Sequence, residues 1–185
     1  GVDAAYFSGS ETSKSVNSGA QATVNLTVQT GTALVASTNQ VVVEYTVNGT
    51  PKSMTHAATA SATQTVAIQE TVNANTEIVV TSVKVQAKVT VAENSLDAVT
   101  TTNLTGNATA TYNGKNKAAI ESEWLDVGST VAVVVTVPGV SGNGVKITIA
   151  GQGTDVTTGT DVEVEGSYTV VAGTNTLTVQ AGDKV

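Results

Sequence analysis

Ala22-Thr23-Val24-Asn25-Leu26-Thr27-Val28-Gln29 is the stretch that decides the fold class. Successive side chains of an extended chain point to opposite sides, so Ala22, Val24, Leu26 and Val28 share one face while Thr23, Asn25, Thr27 and Gln29 share the other. Such a segment is a half-buried β-strand. The pattern recurs at Val41, Val43, Tyr45 and Val47, alternating with Val42, Glu44 and Thr46, and this run ends at Asn48-Gly49. Both residues tolerate positive φ, so a two-residue turn is expected to reverse the chain there.

Further strands are expected at Gln64–Gln69, Glu77–Ala92, Thr130–Val137, Val145–Ala150, Asp161–Glu165, Ser167–Ala172 and Asn175–Gln180. A second hairpin is expected at Asn113-Gly114, flanked by Ala108–Tyr112 and Asn116–Ile120. Only Asn116–Leu125 has helical character, with Ile120 and Trp124 four residues apart, and a short helix there is the alternative. The chain therefore reads as all-β and antiparallel.

The two halves resemble each other. Gly19–Val28 aligns with Gly128–Val137 with apolar positions in register, Val72–Ile78 with Val171–Leu177, and Val85–Val89 with Val179–Val185 after insertions. The offset shrinks from about 109 to about 94 residues along the comparison, as expected where strands are kept and loops change length. Two related β-sandwiches in tandem account for this. The expected division is an extended N-terminal arm over 1–15, one sandwich over 16–104 and a second over 105–185, with the junction between Glu93 and Thr105.

Composition removes several function classes. The 185 residues include 8 lysines, no arginine, 15 acidic residues and no cysteine, for a net charge of -7. An acidic chain with so few cations is not built to hold nucleic acid. Thiol catalysis, a cysteine-held metal and disulfide staples are excluded, and His56 is the single histidine. The longest apolar run, Val131–Val135, is far too short to span a bilayer, and no secretion leader is expected within these residues. No cofactor is expected. With one Trp and one Phe, the interior must come from Val, Ala, Ile and Leu, and the outward faces are mainly threonine. A threonine surface poor in lysine and proline lacks the usual devices against strand-to-strand association, so neighbouring copies are expected to pair. Val2, Ala4, Tyr6 and Phe7 form an apolar extended arm, which suits either strand addition to an adjacent subunit or the first strand of its own domain.

Candidate sites are few. Glu121 and Glu123 would share a strand face beside Trp124, an acid-base arrangement next to an aromatic sugar platform, but no further aromatic residues line a cleft; they read as a solvated face and no catalytic residue is assigned. His56 reads as a lone surface histidine. Gly139–Lys146 misses a phosphate-cradling loop because its lysine comes one residue late and a strand follows. Asp155 and Asp161, with Glu163 and Glu165, are weak calcium candidates on an acidic loop that lacks any calcium-loop spacing. Four glycosylation sequons occur at Asn25, Asn48, Asn103 and Asn107. Their number is near chance for a chain so rich in Ser and Thr, but all four are expected at accessible positions. Threonine pairs such as Thr109 and Thr111 do not recur at the constant period an ice-binding array needs.

Three stretches carry a family resemblance: Ala132–Pro138 (AVVVTVP), Asn103–Gly114 (NLTGNATATYNG) and Val170–Val185. They resemble the immunoglobulin-like β-sandwich repeats of prokaryotic surface-layer and adhesive-filament proteins, and the second is similar to a hairpin of lactobacillar surface-layer proteins. The basic wall-binding domain of the latter and a sortase signal are both missing from this sequence. The resemblance implies two Ig-like sandwiches in an extracellular structural subunit at the cell surface, self-assembling into a filament or layer with copies of itself as partners. The alternative is an Ig-like adhesin or carbohydrate-binding module of a larger cell-surface protein, with surface glycans as partners. Neither brings catalytic residues.

Overall fold

The structure, a computed structural model, describes residues 17–73 and 75–185. It is built almost wholly of antiparallel β-strands and divides into two compact units. The first runs to Ala87 and includes Ala172–Thr174; the second comprises Lys88–Val171 and Asn175–Val185.

In the first unit β1 (Gln21–Gln29) pairs antiparallel with β4 (Thr63–Thr71), and β2 (Asn39–Val47) lies between β3 (Thr50–Ala57) and β5 (Ile78–Ala87). The apolar alternation sets the register. Leu26 faces Val66 and Val24 faces Ile68 across β1 and β4, and a slip of one residue would turn Leu26, Val66 and Ile68 toward water. Asn48 and Gly49 take φ of 49° and 79°, the two positive values of a tight hairpin turn between β2 and β3. Gln64 is the one fully buried glutamine of β4. Its Oε1 accepts from the Thr59 N–H at 2.8 Å, and its Nε2 donates to the carbonyls of Thr59 and Ser61, so its amide is satisfied inside the core.

In the second unit β9 (Thr130–Val137) lies between β7 (Thr109–Tyr112) and β12 (Val162–Thr169). A second sheet runs in the order β11 (Gln152–Val156), β10 (Val145–Ile149), β13 (Thr176–Asp183) and β6 (Thr90–Asn94), the last pairing parallel to β13. Helix α1 (Lys117–Ser122) precedes the two-residue β8 (Leu125–Asp126). Val131, Val133, Val135 and Val137 are all inaccessible, each contributing about 1.5–3 kcal/mol of hydrophobic stabilisation. Buried Asn175 closes the loop into β13 by accepting from the Val171 N–H and donating to the Val171 carbonyl, both at 2.8 Å.

Four sequence expectations change. The uninterrupted alternation over Glu77–Ala92 contains two strands, because β5 pairs with β2 while β6 pairs with β13 in the other unit's sheet. For the same reason the division falls between Ala87 and Lys88, earlier than the junction expected between Glu93 and Thr105. Asn113-Gly114 does turn the chain, with φ of 50° and 73°, but its return strand stops after the Tyr112–Lys115 bridge. The Asn116 side chain then accepts from the Ala119 N–H and caps α1, the short helix taking the place of that strand. Finally, Gly166 does not break Asp161–Ala172 in two. It sits inside β12 opposite Val133, and a Cβ there would lie 2.7 Å from Ile149 Cγ2, so this glycine exists to let Ile149 approach the backbone.

Candidate assembly edge and surface residues

An exposed strand edge presents backbone N–H and C=O groups that another chain can pair with, and proteins blunt such edges with lysine, proline or charge. Among the described residues the strands ending each sheet differ in this respect. β3 carries Pro51 and Lys52, so the expectation that edges lack these devices fails here. On β12 the exposed Glu163 and Glu165 point outward. β11 carries exposed Asp155, ion-paired to Lys184 at 2.9 Å. β4 is different. Its nine residues, TQTVAIQET, include neither lysine nor proline, and among the described residues its strand partner is β1. Val66 and Ile68 anchor it inward while Thr63, Thr65 and Gln69 are exposed.

The one charge on β4 is neutralised. Glu70 accepts from the Tyr45 hydroxyl at 2.7 Å and from Lys52 Nζ. The Lys52 hydrogen bond, then that of Tyr45, holds the Glu70 carboxyl below its usual range; burial, then the bond to Glu70, pushes the Tyr45 hydroxyl up to about 12. The signs give a pH profile. A depressed carboxyl stabilises the fold above its unfolded pKa of about 4 and loses that contribution as pH falls through the folded value. A raised tyrosine stabilises the fold below its unfolded value of 10.0 and loses that contribution as pH climbs toward about 12. Thermal melts across pH are therefore expected to show a plateau through neutrality falling at both ends, with Tyr45→Phe shrinking the alkaline fall. A melting midpoint that rises below pH 4 would contradict this.

The other sequence-derived residues separate clearly. The arm residues Val2, Ala4, Tyr6 and Phe7 lie outside the described residues. Asn25 is exposed on β1 and Asn48 is exposed at its hairpin tip, where its Oδ1 accepts from the Glu77 N–H. Asn107 is exposed and its Oδ1 accepts from the Ala98 N–H. Asn103 differs from expectation: it is half-buried and its Nδ2, the atom a glycan would modify, donates to the Gly144 carbonyl at 2.9 Å. Asp155 is tied to Lys184 and Asp161 is exposed before β12. Among the described residues no group of three or more His, Cys, Asp or Glu is placed to hold a metal ion.

Glu121 and Glu123 do not share a strand face. Glu121 lies in α1 and accepts from the Val91 N–H at 2.8 Å, while Glu123 caps the helix end and pairs with Lys115. Residues two apart on a helix diverge, so this is no acid-base pair. Trp124 is about one-third exposed, with Lys88 Nζ 5.0 Å from its ring centroid. His56 is half-buried rather than fully at the surface, and its Nε2 is shielded with no hydrogen-bond partner among the described residues. Gly139–Lys146 is a turn leading into β10.

Sequence reading missed Asp183, which accepts from Thr102 N at 3.0 Å, Thr102 Oγ1 at 2.7 Å and Asn103 N at 2.8 Å. It fastens the 101–105 loop to the end of β13. No sequence signal joins residues so far apart. No helix among the described residues is long and apolar enough to cross a membrane. Comparison of the chain with protein-family models, with curated proteins and with solved structures returns no match.

Proposed function

We propose that this protein is an extracellular structural subunit that self-assembles into a surface filament or surface layer through β-strand addition and sheet-edge contacts. The observation that carries the reading is β4: a nine-residue Thr/Val/Ala/Gln strand with no lysine or proline, its one charge neutralised by Lys52. Repetition supports it. β1 to β5 run as β1-β4 and β3-β2-β5, and β9 to β13 run as β9-β12 and β11-β10-β13, so the five strands follow the same order in each unit. This is the arrangement expected of two related Ig-like sandwiches, the modular form that surface polymers repeat. The alternative, an adhesin or carbohydrate-binding module, draws on the exposed ring of Trp124.

Electron microscopy and sedimentation of the purified full chain test the proposal. Concentration-dependent filaments or sheets are expected. A monomer at every concentration that binds a defined glycan through Trp124 would replace this reading with the alternative.

A further inference from the structure

An N-glycan is attached to the Nδ2 of the asparagine in Asn-X-Ser/Thr, and the enzyme that attaches it must close around all three residues, holding the hydroxyl of the third while the amide of the first reacts. Exposure of the asparagine is therefore not enough. In three of the four sequons the middle residue belongs to the core: Leu26 is 1% exposed, Leu104 4% and Ala108 6%. Asn25-Leu-Thr27 is also fixed in the ladder of β1 with β4. In Asn103-Leu-Thr105 both ends are occupied, Asn103 Nδ2 by the Gly144 carbonyl and the Thr105 hydroxyl by the Gly139 carbonyl at 3.2 Å. Asn107-Ala-Thr109 runs into β7, with the Ala108 N–H donating to the Leu96 carbonyl at 2.7 Å.

Asn48-Gly49-Thr50 differs on each of these points. All three residues are exposed at the tip of the β2–β3 hairpin, and the space beside Gly49 is open, with nothing within 4 Å of a built Cβ. The amide also faces the right way. The Asn48 N–H donates to the Glu77 carbonyl at 2.9 Å, and Asn48 Oδ1 accepts from the Glu77 N–H at 2.8 Å. A backbone N–H is met by the oxygen of an amide and not by its nitrogen, so Oδ1 faces Glu77 and Nδ2, on the other side of Cγ, is turned away from it. Glycosylation replaces one Nδ2 hydrogen and leaves Oδ1 an acceptor, so the tie between the hairpin and Glu77 survives the modification.

We propose that Asn48 is the N-glycosylation site of the folded chain, its co-substrate an oligosaccharide carried on a polyprenyl pyrophosphate. In the transfer Nδ2 bonds to the anomeric carbon of the first sugar. The bond from that carbon to the phosphate oxygen breaks, its electron pair leaves on the polyprenyl pyrophosphate, and the Nδ2 proton passes to a base of the transferase. Modification in the cell requires an exported chain, the one point at which this site rests on the extracellular reading.

The full folded chain, incubated with a purified oligosaccharyltransferase and a polyprenyl-pyrophosphate oligosaccharide, is expected to gain one glycan, located at Asn48 by peptide mass spectrometry. Transfer to Asn25, Asn103 and Asn107 should be at least about tenfold slower, because each waits on a local opening that draws a core residue out. Thr50→Val keeps a β-branched side chain and the Asn48 bonds but removes the hydroxyl, and should abolish the modification with the melting midpoint unchanged. Equal transfer to Asn103, a preference for Asn25 or Asn107, or full transfer to Thr50→Val would overturn the assignment. So would a chain left unmodified beside an Asn-X-Thr peptide glycosylated in the same tube. Sedimentation of the unglycosylated chain reads assembly separately, so failure of this site and failure of self-assembly are distinguishable.

Discussion

Gly144→Ala is expected to cost the second unit about 3–5 kcal/mol, enough to leave it largely unfolded if its stability is that of an ordinary domain. Gly144 is buried at φ +88°, a conformation that side chains disfavour, and a Cβ there would stand 2.1 Å from the Val156 carbonyl oxygen and 3.1 Å from Thr157 Cα. Both neighbours are backbone, so neither can swing away. Relief would require opening the β10–β11 hairpin at its Val145–Val156 pair. That movement would break further bonds. The Gly144 carbonyl accepts from the Lys184 N–H at 3.0 Å and from Asn103 Nδ2, and its own N–H donates to Ser141. Gly49→Ala supplies the comparison. Gly49 has a similar φ of +79° with nothing within 4 Å of a built Cβ, so only the backbone conformation is penalised, by about 1–2 kcal/mol. Denaturant unfolding of the two variants separates the terms; equal losses would show that the close approach at Gly144 is relieved at little cost.

On the proposed self-assembly through β4, Thr65→Lys combined with Gln69→Lys is expected to weaken assembly strongly while the chain stays folded. Both side chains are exposed on β4, so the buried Val66 and Ile68 and the pairing with β1 are untouched, and stability should change by less than about 0.5 kcal/mol. A second strand brought alongside β4 would meet two ammonium groups on one side of the pairing edge, and the critical concentration for assembly should rise at least about tenfold. Ser53→Lys on β3, whose edge already carries Pro51 and Lys52, is the control and should leave assembly unchanged. Sedimentation with circular dichroism reads both quantities. Unaltered assembly by a folded double variant would remove β4 from the interface.

Most strand positions were legible because alternation is a local property: a half-buried strand needs its apolar side chains two apart whatever it pairs with. Asn48-Gly49 and Asn113-Gly114 were legible for an equally local reason, the positive φ that each adopts. β11 was not. Gln152-Gly-Thr-Asp-Val156 is exposed at four of five positions, so it has no apolar face and is a strand only because β10 pairs with it. Of the candidate site, the threonine-rich character of β4 was readable, but which strand would end a sheet was not. The arrangement of Tyr45, Lys52 and Glu70, drawn from three strands, left no mark in sequence spacing.

By itself, then, the amino-acid order determined that the chain is β, where most strands lie, where two tight turns fall, and that no thiol chemistry is on offer. Only the tertiary structure decided that Glu77–Ala92 serves two units, that Gly166 and Gly144 are places of close approach, that Asp183 braces a distant loop, and that β4 ends its sheet among the described residues. The physical reason is range. Side-chain burial on one face and backbone dihedrals are set within a few residues, whereas the choice of hydrogen-bonding neighbour is made between segments tens of residues apart whose backbones offer the same groups.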